Sequence, residues 1–161
     1  MTSAPLRWPD AADPVIRGDL TVAVAYVTPA GGAVVTSVSP LGLGNREAGR
    51  VGFTTSLGFP KKLERILRDP NVAVAYHTRE HGFAASDAYV LAQGTASVDM
   101  RPSPERLAEL MHASEPFLGE VRRGPLWDWL LREYHQERVF VDVELERVAV
   151  WEKVTSAGVV Y

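Results

Sequence analysis

The amino-acid sequence predicts a mainly β (α+β) domain, a sheet-rich fold with a few short helices. Short apolar runs rich in valine recur along the chain and are separated by turn residues, which is the pattern of β-strands. Three stretches with the apolar spacing of helices interrupt these runs. Six strands are predicted, over residues 20–27, 33–39, 50–55, 71–78, 88–98 and 138–145. The sequence has no internal repeat and no low-complexity tract.

Length and composition indicate one globular domain over residues 1–161. A net charge of −3 and a pI near 5.8 give no general attraction to nucleic acid or to anionic membranes, so neither is expected as a partner. The absence of cysteine excludes disulfides, thiolate nucleophiles and cysteine-ligated metal sites. The first residues lack the apolar core of a secretion signal, and no apolar run reaches membrane-spanning length. We therefore expect a cytoplasmic protein.

Residues typical of turns and of helix ends separate the predicted elements. The loop "TPAGG" suits a hairpin between the first two strands. A helix follows the third strand: Pro60 suits its first position, and Asp69 followed by Pro70 suits its end. Gly94, inside the fifth strand, predicts a bulge or a barrel corner. The apolar residues at helical spacing after the third strand are Phe59, Leu63, Ile66 and Leu67.

Two more helices precede the last strand. Ser103 with Pro104 predicts a capped helix start. In the last strand apolar and acidic residues alternate, which indicates one buried and one polar face, and the apolar pattern continues past residue 145 into "VAVWEKV". The two helical stripes consist of Leu107, Leu110 and Met111, and of Leu126, Trp127, Leu130, Leu131 and Tyr134.

The first and fourth strands are apolar on nearly every residue, so both of their faces would need to be covered. One face of an antiparallel sheet is normally wet, and clean alternation would show it. The helices can cover only part of this surface, which predicts a homodimer whose partner subunit covers the rest. The alternative is that small residues tolerate exposure, namely Ala23, Ala25, Ala73 and Ala75.

Motifs that carry catalysis or bind metal are absent. The hydrolase elbow, the phosphate-binding loop and the dinucleotide fingerprint do not occur. No residue is assigned a catalytic role. No metal site is predicted either, because no two histidines form a close ligand pair among His77, His81, His112 and His135.

The helix after Phe59 has an unusual start. Lys61 and Lys62 lie in its first turn, at the positive end of the helix dipole, where a cation costs a few tenths to roughly 1 kcal/mol. Phe59, the implied N-cap, has no side-chain oxygen to accept the free amides. With the hydroxyls of "TTS", residues 54–56, these groups would form a site for a phosphate-sized anion. The alternative is that both lysines extend into water and bind nothing.

The order of these segments resembles the pyridoxamine 5′-phosphate oxidase-like family, the flavin-binding split barrels. The matching segments are "VAYVTPAGGAVVTSVS", "RVGFTTSLGFPKKLERILRDPNVAVAY" and "AYVLAQGTASV", within about residues 18–99. Family members show a hairpin with proline or aspartate and glycine, a strand that ends in an aromatic residue with threonine, a lysine at a helix start, and Asp-Pro before the next strand. The resemblance implies a six-stranded antiparallel split β-barrel that dimerises. It also implies flavin mononucleotide (FMN), or a deazaflavin of the F420 type, bound between the subunits.

The resemblance also implies which residues bind the cofactor. Lys62 matches the family's phosphate-binding lysine, and Lys61 takes the neighbouring position, where the oxidases have arginine. Two strand segments would lie along the isoalloxazine ring and along the phosphate and ribityl chain: Thr36, Ser37, Val38 and Ser39 for the first, and Thr54, Thr55 and Ser56 for the second. The missing helix cap would then be the cofactor's phosphate.

The sequence departs from the true oxidases at two places. Its second strand, "AVVTSVS", lacks their arginine, and its end, "ERVAVWEKVTSAGVVY", lacks their aromatic and arginine-rich segment. The resemblance therefore implies an oxidoreductase in which FMN or a deazaflavin passes hydride to or from a small molecule, and not a vitamin oxidase. A protein that binds flavin or haem without turnover is the alternative, which the sequence leaves open.

Overall fold

The computed structural model describes residues 4–77, 84, 86, 88–119, 124–127, 129 and 137–151. The strands are β1 (Val22–Val27), β2 (Ala33–Val38), β3 (Gly44–Asn45), β4 (Arg50–Ser56), β5 (Asn71–Tyr76), β6 (Tyr89–Asp99) and β7 (Arg138–Trp151). The helices are α1 (Asp13–Gly18), α2 (Pro60–Arg68) and α3 (Pro104–Leu118), with a 3₁₀ turn at Asp10–Ala12. Residues 125–127 and 129 are also helical, which places Leu126 and Trp127 in a helix as predicted. Leu130, Leu131 and Tyr134 of the same stripe lie outside the described residues.

All strand pairs are antiparallel, in the order β2-β1-β5-β6-β7-β4-β3. β2 and β4 meet at an isolated bridge, where the Thr54 amide donates to the Ser39 carbonyl at 3.3 Å. This bridge brings together the two ends of the run of six long strands. The mainly β (α+β) architecture predicted from the sequence is confirmed.

Two elements were not predicted. β3 has two residues, too few for any alternation to be visible, and it pairs with the start of β4. α1 has six residues, of which Val15 and Ile16 are buried, and so short a helix shows no 3.6-residue period. β7 extends to Trp151, which confirms that the last strand continues past residue 145.

The inward-facing residues of the strands form one hydrophobic core. It includes Phe53 of β4, Tyr76 of β5 and Ile66 of α2, all almost fully buried. The pairing of β6 with β7 has a bulge at Gly94, as predicted: Gln93 lies opposite Arg147 and Gly94 opposite Leu145, so the extra residue is Glu146 of β7. A Cβ at Gly94 would lie 1.9 Å from the Glu144 carbonyl oxygen, so only glycine fits there. The valines of this core include Val22, Val24, Val72, Val74, Val90, Val141 and Val143.

The two long helices pack on different sides of the sheet. α2 buries Leu63 and Ile66, but its apolar face is narrower than predicted because Leu67 is 55% exposed and Phe59 is 58% exposed. α3 packs on a second cluster, in which Leu110 contributes the helix side. The other buried members of that cluster are Leu41, Leu43 and Phe140.

The outward-facing residues of β1 and β5 form a surface of small side chains that we call the alanine strip. Ala23 lies opposite Ala75, and Ala25 lies opposite Ala73. All four are half-buried, whereas the neighbouring valines and tyrosines of the same strands are buried in the core. The apolar pattern on both faces of these strands is therefore present in the structure. A homodimer that covers the strip stays a prediction.

Candidate functional site at the start of helix α2

The loop between β4 and α2 uses its backbone amides internally. The Leu57 amide donates to the Glu137 carbonyl at 3.0 Å. The Gly58 amide donates to Ser56 Oγ at 3.0 Å, and the Phe59 amide donates to the Ser56 carbonyl at 3.0 Å. The loop therefore has a fixed shape, and its own amides are not open to a ligand.

The first turn of α2 has one amide left over. Phe59 is the N-cap and makes no side-chain capping bond. Its carbonyl accepts the Lys62 and Leu63 amides at 3.1 and 3.3 Å, and Pro60 has no amide hydrogen. Within the described part of the chain, the Lys61 amide has no acceptor. The helix start is uncapped as predicted, but it offers a single free amide.

Lys62 is held by two contacts. Its Nζ donates to Thr55 Oγ1 at 3.3 Å and lies 4.9 Å from the centre of the Phe59 ring. Burial lowers the pKa of the Lys62 amine below its ordinary value, because removal from water disfavours the charged form. A nearby anion would favour the charged form again.

A cavity of about 360 Å³ opens beside these groups; we call it the α2 cavity. Its volume is at the lower end of the range for small-molecule sites, roughly 300–1,000 Å³. The hydroxyl oxygen of Thr36 is buried and has no hydrogen-bond partner among the described residues. A buried hydroxyl without a partner is costly, so a ligand that bonds to it would be stabilised. The lining residues are Tyr26, Thr36, Gly58, Phe59, Pro60, Lys61, Lys62 and Arg65.

The charges of the α2 cavity all have the same sign. Lys61, Lys62 and Arg65 line it, no carboxylate does, and none of the three has a carboxylate partner in the described ranges. Lys61 and Arg65 are four residues apart on one helix face, where like charges cost about 0.2–0.5 kcal/mol. Sequence reasoning missed Arg65, although its four-residue spacing from Lys61 was a signal for it. An anion in the cavity would relieve this repulsion.

Comparison with solved structures adds to this geometry. The sequence matches no family model and no curated protein. A pyridoxamine 5′-phosphate oxidase-related, FMN-binding protein from Nostoc punctiforme matches with a TM-score of 0.54 and 13% identity, over 83% of this chain and 74% of that chain. The chain has the pyridoxamine 5′-phosphate oxidase-like split-barrel fold.

Other split barrels with similar structures carry different names. An F420 reductase is 16% identical, with a TM-score of 0.58 over 88% of this chain and 98% of that chain. The haem storage protein HutZ of Vibrio cholerae is 15% identical, with a TM-score of 0.59 over 91% of this chain and 95% of that chain. At these identities the comparisons show the fold and no activity. The split barrel implied by the sequence resemblance is confirmed.

The split barrel brings the two predicted cofactor-binding segments together. Ser39, at the end of the first segment, pairs with Thr54 in the second. Thr55 contacts Lys62, whose side chain lines the same cavity as Thr36. Both strand segments therefore reach the start of α2: Thr55 of β4 by a hydrogen bond, and Thr36 of β2 across the α2 cavity.

Two hydroxyls of the second segment are already bonded within the protein. Thr54 Oγ1 accepts from Arg138 Nη1 at 3.3 Å, and Ser56 Oγ donates to Glu137 Oε2 at 3.2 Å. Side chains alternate along a strand, so these two face the opposite side of β4 from Thr55. Thr55 is thus the hydroxyl of this segment that shares a side with Lys62.

The residues of the first segment have different environments. Thr36 lines the α2 cavity, and Ser37 is exposed on the other face of β2. Val38 is 7% exposed and packs in the barrel core, so a charge placed there would test folding and not ring contact. Contact between this backbone and a cofactor ring stays a prediction.

The described residues contain no cluster of metal-ligating side chains. Residues 4–77, 88–119 and 137–151, with the few others described, contain no group of three or more histidine, aspartate or glutamate side chains that could hold a metal ion. His77 follows β5 and His112 lies on α3, while His81 and His135 lie outside the described residues. None of the helices in these ranges is long and apolar enough to cross a membrane.

A larger cavity, of about 1050 Å³, lies between the N-terminal segment and strands β6 and β7. It contains none of the predicted site residues. Two of its side chains are already paired within the protein: Thr95 Oγ1 donates to Glu146 at 2.6 Å, and Arg7 pairs with Glu47. Its charges are of both signs, since Glu144 and Glu146 line it beside Arg7. We therefore place the candidate site in the smaller α2 cavity, whose charged lining residues are all positive. The larger cavity is lined by Ala4, Pro5, Leu6, Arg7, Thr95, Glu144, Leu145 and Glu146.

Proposed function

We propose that the protein binds FMN, or a related deazaflavin, at the α2 cavity and acts as an oxidoreductase on a small molecule. The observation that carries this proposal is the convergence of Lys61, Lys62 and Arg65 on a cavity that no carboxylate among the described residues neutralises. When bound, the cofactor supplies the hydride transfer, and the protein positions it and limits access. The proposed setting is cytoplasmic, with no nucleic-acid or membrane partner.

The cofactor's phosphate would bind at the start of α2. Lys62 is already held beside Thr55, so its ammonium needs little reorganisation to donate to a phosphate oxygen. Lys61 offers an ammonium and a free amide, and the Thr36 hydroxyl needs a partner. A phosphate there would also place negative charge at the positive end of the helix dipole. The phosphate would therefore act as the missing cap.

Arg65 is a reason to keep a deazaflavin as a second candidate beside FMN, because it could balance more negative charge than one phosphate carries. A phosphate monoester carries about −1.5 to −2 at neutral pH, which Lys61 and Lys62 can balance. Arg65 lines the same cavity and has no carboxylate partner in the described ranges. Deazaflavins of the F420 type carry carboxylates besides a phosphate. A protein named F420 reductase has the same fold.

We also propose that a second copy of the chain completes the site. The volume of the α2 cavity, about 360 Å³, is at the lower end of the range for small-molecule sites, so a second copy would add surface for the flavin ring. The alanine strip is apolar and only half-buried, and Val35 beside it is 64% exposed. A homodimer through this strip would cover these residues, and the ring would lie between the subunits.

Light scattering tests the homodimer. The expected mass is about twice the 17.6 kDa of one chain. A monomer at micromolar concentration would contradict both the homodimer and a site shared between subunits.

The alternative function is sequestration of flavin or haem without turnover. HutZ, a haem storage protein, has the same fold. Haem needs an axial ligand, which is histidine, methionine, cysteine or tyrosine, and the described lining of the α2 cavity offers only Tyr26, which is 4% exposed. The lining therefore favours a flavin-type cofactor.

An absorbance spectrum of the purified protein tests the proposal. After incubation with FMN or a deazaflavin and desalting, we expect bands of the oxidised cofactor to stay with the protein. These bands should bleach on reduction and return when a small-molecule acceptor is added. Haem bands would select the sequestering alternative, and loss of both cofactors on desalting would contradict the proposal.

A further inference from the structure

Phe59 occupies a position where its residue type gives the helix no benefit. It is the N-cap of α2 and makes no capping bond. N-caps are usually serine, threonine, asparagine or aspartate, whose oxygens accept a first-turn amide. The ring is 58% exposed and takes no part in either hydrophobic cluster, so core burial does not account for it either.

The ring does contact one cation of the α2 cavity. Lys62 Nζ lies 4.9 Å from the centre of the Phe59 ring and 3.3 Å from Thr55 Oγ1. Lys61, the next residue along the helix, has no such contacts within the described part of the chain. Both lysines have the same four rotatable bonds, but only the Lys62 ammonium is fixed from two sides.

We infer that Phe59 is a positioning residue, which holds the Lys62 ammonium against Thr55 and leaves the helix start uncapped for an anion. This inference rests on the proposed function, because the anion is the cofactor's phosphate. The ring contributes through its negative face, which attracts an ammonium group. A lysine that is already ordered loses less conformational freedom when an anion binds. Phe59 thus trades helix stability for affinity.

The trade predicts opposite effects from one substitution. In Phe59→Ser, the new hydroxyl can accept the free Lys61 amide and cap the helix, so the melting temperature of the empty protein should rise. The same change removes the ring and occupies the amide, so FMN should bind more weakly. A residue that merely stabilised the fold would lower both quantities together.

Conservative variants test the role of the ring. Phe59→Leu keeps the apolar bulk and removes the aromatic face, so the dissociation constant for FMN should rise about 3- to 10-fold. Phe59→Tyr keeps the face and should bind FMN like the wild type. Equal binding by the wild type and Phe59→Leu, or equal losses in both variants, would overturn the inference.

A double-mutant cycle shows whether Phe59 acts through Lys62. In a Lys62→Met background, Phe59→Leu should weaken FMN binding no further, because the cation that the ring holds is gone. In the matched Lys61→Met background, Phe59→Leu should keep its full effect. The same loss in both backgrounds would mean that Phe59 acts on the ligand directly.

Proton NMR of the empty protein separates this inference from the proposed function. The ring should shift the Hε resonances of Lys62 upfield in the wild type and in Phe59→Tyr, and the shift should be lost in Phe59→Leu. If FMN does not bind at all but this shift is present, the cofactor proposal fails and the positioning of Lys62 stands. If the shift is absent in the wild type, Phe59 does not hold Lys62, whether or not FMN binds.

Discussion

Helices α2 and α3 begin in opposite ways, although both start with proline. At α3, Ser103 Oγ accepts the Arg106 amide at 3.3 Å and Glu105 lies in the first turn, so cap and charge both suit the helix dipole. At α2, Phe59 gives no cap and the first turn carries lysines. One helix start is complete within the protein, whereas we propose that an anion completes the other.

The same contrast appears in the cation–ring pairs of the two helices. Arg106 lies 4.9 Å from the centre of the Phe140 ring, the same separation as Lys62 from Phe59. Arg106 also donates to both carboxylate oxygens of Asp142, at 2.5 and 2.7 Å, and Phe140 is 1% exposed. Lys62 has no carboxylate partner in the described ranges. The cation of α3 joins the helix to β7 through Asp142, and we propose that the cation of α2 binds a ligand.

The largest expected effect is the loss of stability when the ion pair between Arg106 and Asp142 is removed. Asp142→Ala should lower the free energy of unfolding by about 2–4 kcal/mol, because it leaves the half-buried Arg106 with only the exposed Glu109 as a partner. Urea unfolding measures this. Affinity for FMN should not change in the folded variant. The control is Glu109→Ala, which should lower the free energy of unfolding much less. A loss of stability close to that of Asp142→Ala would mean that Asp142 is not the main partner of Arg106.

Lys62→Ala should show the reverse behaviour. A charge-assisted hydrogen bond is worth about 1.5–3 kcal/mol, so the variant should bind FMN roughly 10- to 100-fold more weakly. Its unfolding free energy should stay the same or rise slightly, because a cation leaves the positive end of the helix dipole. Calorimetric titration with FMN and urea unfolding measure the two quantities. A clear loss of stability would mean that Lys62, like Arg106, is structural.

Lys61→Ala should give a smaller loss of FMN affinity than Lys62→Ala. No contact with another described residue orders the Lys61 ammonium in the empty protein, so part of its binding energy is lost in ordering the side chain. Its backbone amide remains available in the variant. The same titration compares the two, and a larger loss for Lys61→Ala would reverse their assigned roles.

The smallest expected effect is a dependence on alkaline pH. Burial lowers the pKa of Lys62, so its ammonium begins to lose its proton at a lower pH than an exposed lysine would. FMN affinity should therefore fall as pH rises through the lowered pKa of Lys62. The empty protein should gain stability relative to Lys62→Met as pH rises from the lowered pKa towards the ordinary value of 10.5, because the unfolded chain then binds more protons. Urea unfolding at a series of alkaline pH values measures this. The same change of unfolding free energy with pH in the wild type and in Lys62→Met would contradict the prediction.

The sequence predicted the frame of the site better than its details. Short valine-rich runs predicted the six long strands, and residue types alone indicated an uncapped, doubly positive start of α2. The partners of the loop amides could not be predicted, because Glu137 is remote in sequence from Leu57 and comes close only through the pairing of β4 with β7. The Thr54–Arg138 contact was hidden for the same reason.

Arg65 and Thr36 show a second limit of sequence reasoning. The contribution of Arg65 depends on the wall opposite α2, which β1 and β2 supply from residues far earlier in the chain. The Thr36 hydroxyl matters because it is buried without a partner, and burial follows from packing. Periodicity assigns a residue to a face, but the neighbours on that face are set by strand order.

The account depends most directly on the phosphate, and comparison of FMN with riboflavin isolates it. Riboflavin has the same ring and ribityl chain and lacks the phosphate. Calorimetric titration of the wild type should show FMN binding much more tightly than riboflavin. In a Lys61→Ala, Lys62→Ala double variant, riboflavin affinity should stay the same and the preference for FMN should largely disappear. If the double variant keeps the wild-type preference for FMN, the start of α2 does not bind the phosphate and the account is wrong.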